Sequence, residues 1–505
     1  MAPRLLAAGD GLAGLFGGRA QRGYRRLVHG ALGYRYAAAS RGPRDRGWIT
    51  HDQNPNRLIG QAGRLVRARV RQLVRDFPLF ARAVEARVNL IVGNGGSFQA
   101  RVTKADGSPD ENLNGRIEDL WAETAESLDT TGRLDAVEMA RLAMRQETEA
   151  GEALGVLVRP SNPAGPVPFA VALYEPEWLT DLAALPGKDR EIINGVEVEK
   201  ASGRVLAYWL ANPEAMGNPA RVEAADVVHL YDMLRPGQLR GVSPLVSAVQ
   251  VARDLGEYIN SEVEGANMAS RWLAKAKTNR PAEEWHKDRV TDNASRTEGE
   301  TNDTRVQELG YNIIEVLRPN DGEDFDLLSS NRPSKQFAPF VDFVTRLIAA
   351  VAGLSPELIS GNYKGISYSN LRGVRLDLAA NARPHQRRFG RQFWAPIHRA
   401  WLDAAVLAGK LTIPGYWQRR NFYHRALIWL PPGIENADVL RESKALIDKM
   451  AAGLMDPLEY LGSQGKDPRE VLKGLAQFQA MAKQEGAEIA WPKTPVKQNP
   501  AAMGA

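Results

Sequence analysis

No cysteine occurs among the 505 residues. That excludes a disulfide framework and a thiolate metal site, and it accords with assembly in a reducing cytoplasm. No apolar run reaches the roughly 18 residues that a bilayer-spanning helix needs, so no membrane partner is expected. The opening MAPRLLAAGDGLAGLF starts like a signal peptide, but Asp10 and the glycines at 9, 11, 14 and 17 interrupt its apolar stretch. It reads as a mobile arm.

Signatures of catalytic and cofactor chemistry are missing as well. A literal G-x-G-x-x-G lies at 9–14, yet a dinucleotide site needs a strand before it, a helix after it and an acid about 20 residues on. Here Gly17-Gly18 follows and no acid lies near position 34. The Gly-Lys pairs at 187, 409 and 465 lack the upstream glycine and the following Ser or Thr of a phosphate-cradling loop,. Asp52-Gln53-Asn54-Pro55-Asn56 begins like a calcium loop, then places Arg57 where glycine is needed and Gly63 where glutamate is needed,. The seven histidines are scattered, without H-E-x-x-H, and Gly-x-Ser-x-Gly is absent,. His385, His398 and His424 sit in aromatic or arginine-rich helical context and read as packing or surface residues. No catalytic residue, cofactor or metal is expected.

Lysine is absent from residues 1–87, which carry 17 Arg against 5 Asp and Glu. That segment is therefore +12, and the remainder of a chain whose net charge is +5 is −7. Such a segment suits nucleic acid or an acidic protein surface. The other reading is a solvated helix face, because Arg67, Arg69, Arg71 and Arg75 alternate with Val66, Val70, Leu73 and Val74. No aromatics interleave, so it is not a base-stacking platform.

With 44% apolar residues the chain can bury ample core in several domains or one elongated body. The periodicities predict an α+β, predominantly helical fold. Helical patterns cover 57–92 with a break near Pro78, 114–128 and 135–149. Strand-like pieces follow at 154–159, 168–174, 196–199, 205–210 and 226–231, separated by Pro, Gly and Asn turns. A loop built on Pro236-Gly237-Gln238 and Arg240-Gly241 then opens a long helix at Ser243-Pro244, with serine as cap and proline in the first turn. Val251, Leu255, Ile259, Val263, Ala266 and Leu273 share one side of it. Asp254, Glu257, Ser261 and Glu264 share the opposite side, and Glu262 falls near the apolar one. Residues 280–333 are polar and aspartate-rich, a small mixed insert before a second helix at 334–351 that stops at Gly353. A Gly/Ser/Tyr/Asn loop spans 355–370. A third helix starts near Asn370 and is expected to bend at Pro384 and Pro396. Helices are predicted at 436–452, 456–462 and 467–484, the last opened by a capping box at Asp467-Pro468-Arg469-Glu470.

The loop and helix at 230–277 (LYDMLRPGQLRGVSPLVSAVQVARDLGEYINSEVEGANMASRWLAKAK) resemble the lambda-type portal proteins of tailed bacteriophages. So do 152–158 (EALGVLV), 173–179 (LYEPEWL), 365–375 (GISYSNLRGVR) and 453–472 (GLMDPLEYLGSQGKDPREVL). Their order and spacing carry the resemblance, which runs over about residues 48–486. It implies a portal fold: a flexible basic arm (1–47), a wing (48–243), a first stem helix (244–279), a clip (280–332), a second stem helix (333–353), a tunnel loop (354–370), a long bent helix returning to the wing (371–435), a crown (436–485) and a flexible tail (486–505).

The resemblance further implies a homododecameric ring at one capsid vertex of the virion, assembled in the host cytoplasm. Double-stranded DNA would be packaged and ejected through it, with the terminase large subunit and then head-tail adaptor or neck proteins docking on it. The major capsid protein and a scaffold are further implied partners. Asp254, Glu257 and Glu264 are the candidates for lining the channel; alternatively that face packs on Arg253, Arg271 or Lys275 of a neighbouring copy. Tyr363, Lys364, Ser367 and Tyr368 are the tunnel-loop candidates, and Arg67, Arg69, Arg71 and Arg75 those for phosphate or capsid contact. The alternative from a different class is a nucleic-acid-binding protein acting through its arginine-rich amino-terminal segment.

Overall fold

A computed structural model of the chain describes residues 53–181, 187–214, 218–269, 274–278, 323–327, 335–433, 439–457, 460–461 and 468–484. The predicted arm at 1–47, the tail at 486–505, the insert apart from 323–327, and the cap at Asp467 lie outside the described residues. The chain divides into two units, Met1–Asn54 and Pro55–Ala505, and the elements below belong to the second.

Helix α1 (Pro55–Asp76) buries Asn56, Ile59, Gly63, Arg67, Val70 and Val74, a three-and-four spacing that puts all of them on one stripe. Pro78 separates it from α2 (Pro78–Ile91) and sits in the first turn of the new helix, where a missing N–H removes no bond. After a glycine turn comes β1 (Ser97–Ala100). Asp110 caps α3 (Glu111–Ala125). A capping box of Asp135 and Glu138 opens α4 (Ala136–Ala150), and Gly151, in the left-handed region at φ 91°, closes it,.

Seven strands follow: β2 (Glu152–Val158), β3 (Ala170–Tyr174), β4 (Arg190–Ile193), β5 (Val196–Glu199), β6 (Val205–Leu210), β7 (Ala220–Glu223) and β8 (Val227–Tyr231). They form a three-stranded sheet ordered β3-β2-β8 and a four-stranded meander β4-β5-β6-β7, all antiparallel. Then come α5 (Val249–Ala269), β9 (Ala274–Thr278), β10 (Glu323–Leu327), α6 (Phe337–Ala352), α7 (Pro356–Ser360) and α8 (Tyr368–Phe389). A single π turn (Gly390–Trp394) joins α8 to α9 (Ala395–Leu407), and α10 (Arg420–Ala426) leads into β11 (Leu427–Leu430). Strand β11 pairs antiparallel with β1, Phe98 opposite Trp429, so the two ends of the body close on each other. Helices α11 (Val439–Ala451) and α12 (Pro468–Gln484) come last. The fold is α+β and mainly helical, as the sequence patterns predict.

Four departures from those patterns have physical reasons. The long helix does not start at Pro244: a turn and a 3-10 segment (Val246–Ala248) precede α5, because Ser243 is tied back to α4 and sets the direction of the chain. It also does not run to 279, since 274–278 is a strand whose register places positions 275 and 277 opposite Asp326 and Asp324; the Ala/Lys alternation there has the period of a strand. Residues 356–360 of the predicted loop are helical, with Pro356 in the first turn and Ile359 buried. Pro384 lies inside α8, and the irregularity falls between the two prolines, at the π turn.

Two large cores hold these elements. One collects α3, α4, β1, β2, α9 and β11 around Trp121, Trp394 and Trp401. Each fully buried side chain of that size contributes about 1.5–3 kcal/mol. The other joins α1, α2 and the start of α5 to α6, α7 and Leu378 of α8. A smaller cluster packs between the two sheets around Val196, Tyr208 and Val227.

Candidate functional site

The direction of α5 is set by the loop that precedes it. Gln238, 2% exposed, accepts from the Leu234 and Arg235 N–H groups at 3.1 and 3.2 Å and donates to the Asp232 and Arg240 carbonyls at 3.3 and 2.8 Å. One amide thus closes the whole turn. Gly241 and Gly151 then let two backbones touch: a Cβ on Gly241 would lie 2.0 Å from the Gly151 carbonyl oxygen. Ser243 Oγ donates to the Thr148 carbonyl at 2.7 Å and accepts from the Leu245 N–H at 3.2 Å.

Beneath the turn is a buried ionic cluster. Glu152, wholly inaccessible, accepts from Arg240 Nε and Nη2 at 2.9 and 2.6 Å, from the Gly241 N–H at 3.0 Å and bonds His229 Nε2 at 3.0 Å. Burial alone would raise its pKa, but the Arg240 charge and the bonds from His229 and Arg240 outweigh it and hold the carboxyl well below the usual range. Burial keeps the His229 ring pKa below its ordinary value in spite of that carboxylate. Arg240 also donates to the Asn194 and Pro176 carbonyls, so one guanidinium ties both sheets to the root of α5.

From this root α5 buries Ala252, Leu255 and Glu262, while Asp254, Glu257, Ser261 and Glu264 are exposed on the other side. Arg253 Nε donates to Glu257 Oε1 at 2.9 Å, an exposed i,i+4 pair that contributes only about 0.3–0.5 kcal/mol. Asp254 and Glu264 have no cationic partner among the described residues. Tyr258 packs on Phe337 and Phe340 of α6, with ring centroids 5.8 and 4.9 Å apart. Helix α6 buries Val344, Ile348 and Ala349 but leaves Phe340, Phe343 and Leu347 exposed, as Val263 is on α5 and Leu376 on α8. Among the described residues the helix pair is therefore half covered, with an anionic face and an exposed apolar face.

Arg87, almost fully buried on α2, donates to the Ala352 carbonyl at the end of α6 at 3.2 Å, a cation placed where the helix dipole is negative. After α7 the chain turns at Gly361 and Gly365, both near φ 70°, where a side chain would be strained. Tyr363 and Lys364 are exposed at the tip, and the Lys364 N–H is held by Asn362 Oδ1 at 3.1 Å. Ser367 closes the loop: its Oγ accepts from the Asn370 N–H at 3.2 Å and caps α8. Tyr368 is the half-exposed first residue of α8.

The basic stripe of α1 is divided. Arg67 Nε donates to Glu177 Oε1 at 2.8 Å, and Arg71 Nη1 reaches the same oxygen at 3.2 Å. These two are engaged by Glu177 inside the chain. Arg69 and Arg75 are exposed.

Sequence reasoning missed the ionic clusters entirely, because their members lie far apart in the chain. Besides Glu152 and Arg240 these are Asp403 with Tyr416, Arg420 and His424, and Glu147 with Arg388 at 2.5 Å. His398 lies against the Phe98, Trp121 and Trp394 rings, and burial pushes its pKa down to about 3. It packs, as its aromatic context predicts. Among the described residues no group of three or more His, Cys, Asp or Glu side chains is placed to hold a metal, and no helix is long and apolar enough to cross a membrane.

The profile described as phage portal protein, lambda family, matches residues 41–386. The chain belongs to the lambda family of phage portal proteins. The probable portal protein of Halomonas phage phiHAP-1 is 24% identical over 408 residues, covering 77% of this chain and 75% of that one. Portal protein B of Escherichia phage lambda is 20% identical over 311 residues, covering 56% of this chain and 57% of its own length. Among solved structures, a chain from the virion of a native gene transfer agent particle matches 88% of this chain and 99% of its own, at 15% identity and a TM-score of 0.43.

Proposed function

We propose that twelve copies of this chain close into a ring at one capsid vertex of the virion, with α5 lining an axial channel for double-stranded DNA. The observation that carries this is the pairing of faces on α5 and α6. An anionic face on which Asp254 and Glu264 have no cationic partner among the described residues repels a polyanion, and the apolar face beside it, exposed among those residues, needs a neighbour. A channel wall must not bind what it conducts: phosphate contacts repeated around a ring would hold the duplex through counterion release. Lys364 and Tyr363, exposed at a glycine-flanked tip, supply sparse transient contacts, and Lys364 is the cation of the tunnel loop. In this assignment 48–243 is the wing, the strand pair β9-β10 forms the base of the clip, and α11 and α12 belong to the crown. The terminase large subunit and then the neck proteins dock on the clip. The major capsid protein surrounds the body, Arg69 and Arg75 being the remaining basic candidates for it.

Packing in the host cytoplasm requires no catalytic step of the chain itself, and its role is structural. Direct nucleic-acid binding through the arginine-rich segment is less favoured, because Arg67 and Arg71 are already bound to Glu177. The test is sedimentation of the purified protein together with packaging assays. Discrete rings are expected, and a chain that stays monomeric at high concentration contradicts the proposal. Deletion of 280–332 is expected to abolish terminase docking; retained docking removes that segment from the clip.

A further inference from the structure

Three arginines at four-residue intervals, Arg383, Arg387 and Arg391, border a groove of about 430 Å³ floored by Ile428, Trp429 and Pro431. They differ from the arginines that hold the body together. Arg67, Arg71, Arg240, Arg388 and Arg420 are each bound to a carboxylate. The three at the groove are exposed and have no carboxylate partner among the described residues. Two features of the fold build this groove. The four-residue spacing puts the three arginines on one stripe of the helix, and the π turn at Gly390–Trp394 ends that stripe; such turns recur at functional sites. Gly390 then lets Trp429 lie against the helix, since a Cβ there would be 2.9 Å from the indole ring.

We infer that this groove is a docking site for an acidic segment of another protein that alternates carboxylate and apolar side chains. Side chains on one face of an extended peptide repeat about every 6.6–6.8 Å, and four residues of helix rise about 6 Å. Successive carboxylates therefore match successive arginines on the rim, as charge-assisted and partly bidentate bonds, while the intervening apolar side chains reach Ile428, Trp429 and Pro431. Nucleic acid fits less well. A duplex offers phosphates but nothing apolar for the floor. Single-stranded binding relies on rings that stack successive bases, whereas Trp429 is the one half-exposed ring here, covered on one side by the helix and with its indole N–H donated to the Gly95 carbonyl at 2.7 Å. The inference is independent of the channel, because it concerns the body of a single copy.

Fluorescence anisotropy with the full-length protein tests it, using a dye-labelled peptide of alternating glutamate and leucine. That peptide is expected to bind, a glutamate-serine version at least about tenfold more weakly for want of the apolar anchor, and a lysine-leucine version not at all. Arg383→Ala, Arg387→Ala and Arg391→Ala are each expected to weaken binding about tenfold. The triple Lys variant retains part of the affinity, and neither set changes the sedimentation profile. The inference is overturned if the triple Ala variant binds the peptide unchanged, or if a single-stranded or duplex oligonucleotide displaces the peptide at equal or lower concentration. It is also overturned if the triple variant alters the oligomer, which would make the occupant a second copy of this chain.

Discussion

Glu152 and Arg240 form the most buried charge pair at the root of α5, at 2.6 Å. Removing one member of such a pair leaves the other charged and dry, which costs about 3–5 kcal/mol. Glu152→Gln is therefore expected to lower the unfolding free energy by that amount, read as a lower denaturant midpoint at constant slope. Glu177→Gln, whose carboxylate is partly solvated, is expected to lose far less. If both variants are equally mild, the cluster does not orient α5. Acid stability follows from the histidines and carboxylates together. The His398 ring has its folded pKa pushed down by burial from 6.5 to about 3, and His385, also chiefly through burial, to about 4. The unfolded chain takes up protons that the folded chain refuses, so stability is full above pH 6.5 and falls as the pH drops toward 3. Asp403 and Glu152 have depressed folded values as well, and their contribution is lost lower down, below the ordinary carboxylate range. Urea titrations at pH 7 and pH 5 are expected to show a smaller loss in His398→Leu than in the parent; an equal loss would mean that His398 takes up its proton without unfolding.

At the scale of elements, the sequence was most legible where one helix face meets one core. The stripe on α1, the split faces of α5, the capping box of α4 and the glycine stop after α6 all follow local periodicity and cap chemistry, and they emerged within a few residues. Short edge strands were missed: β4, β7 and β11 are four residues each, too short to show alternation. The start of α5 was misplaced because Ser243 bonds to Thr148, 95 residues away, a tertiary partner that no local pattern reveals. The same limit hid the ionic clusters and the groove at Arg383, while the exposed carboxylates of α5 were visible from spacing alone. Two predictions belong here. Phe343→Glu with Leu347→Glu puts charge on the uncovered face of α6 and is expected to shift sedimentation from rings to monomers; rings of unchanged size would remove that face from the interface. Lys364→Glu is expected to leave rings intact and to lower the DNA retained per particle, and normal packaging would take the loop out of the mechanism.

For the whole molecule, charge is segregated along the chain. Residues 1–87 carry an excess of +12 and the rest −7, so the basic part is suited to acidic surroundings and the remainder to standing beside DNA without adhering to it. Membership in the lambda family of portal proteins gives this separation a purpose, since a conduit for a polyanion needs walls that repel it and joints that hold under load. In the proposed ring the joints are the buried pairs at Glu152, Glu147 and Asp403, and the wall is α5. Electron cryomicroscopy of the purified assembly tests that division most directly. The account predicts a closed ring with Asp254, Glu257 and Glu264 facing the central opening and α6 against the next subunit. A ring whose bore is lined by arginine and lysine, with those three carboxylates on its outer surface, would contradict it.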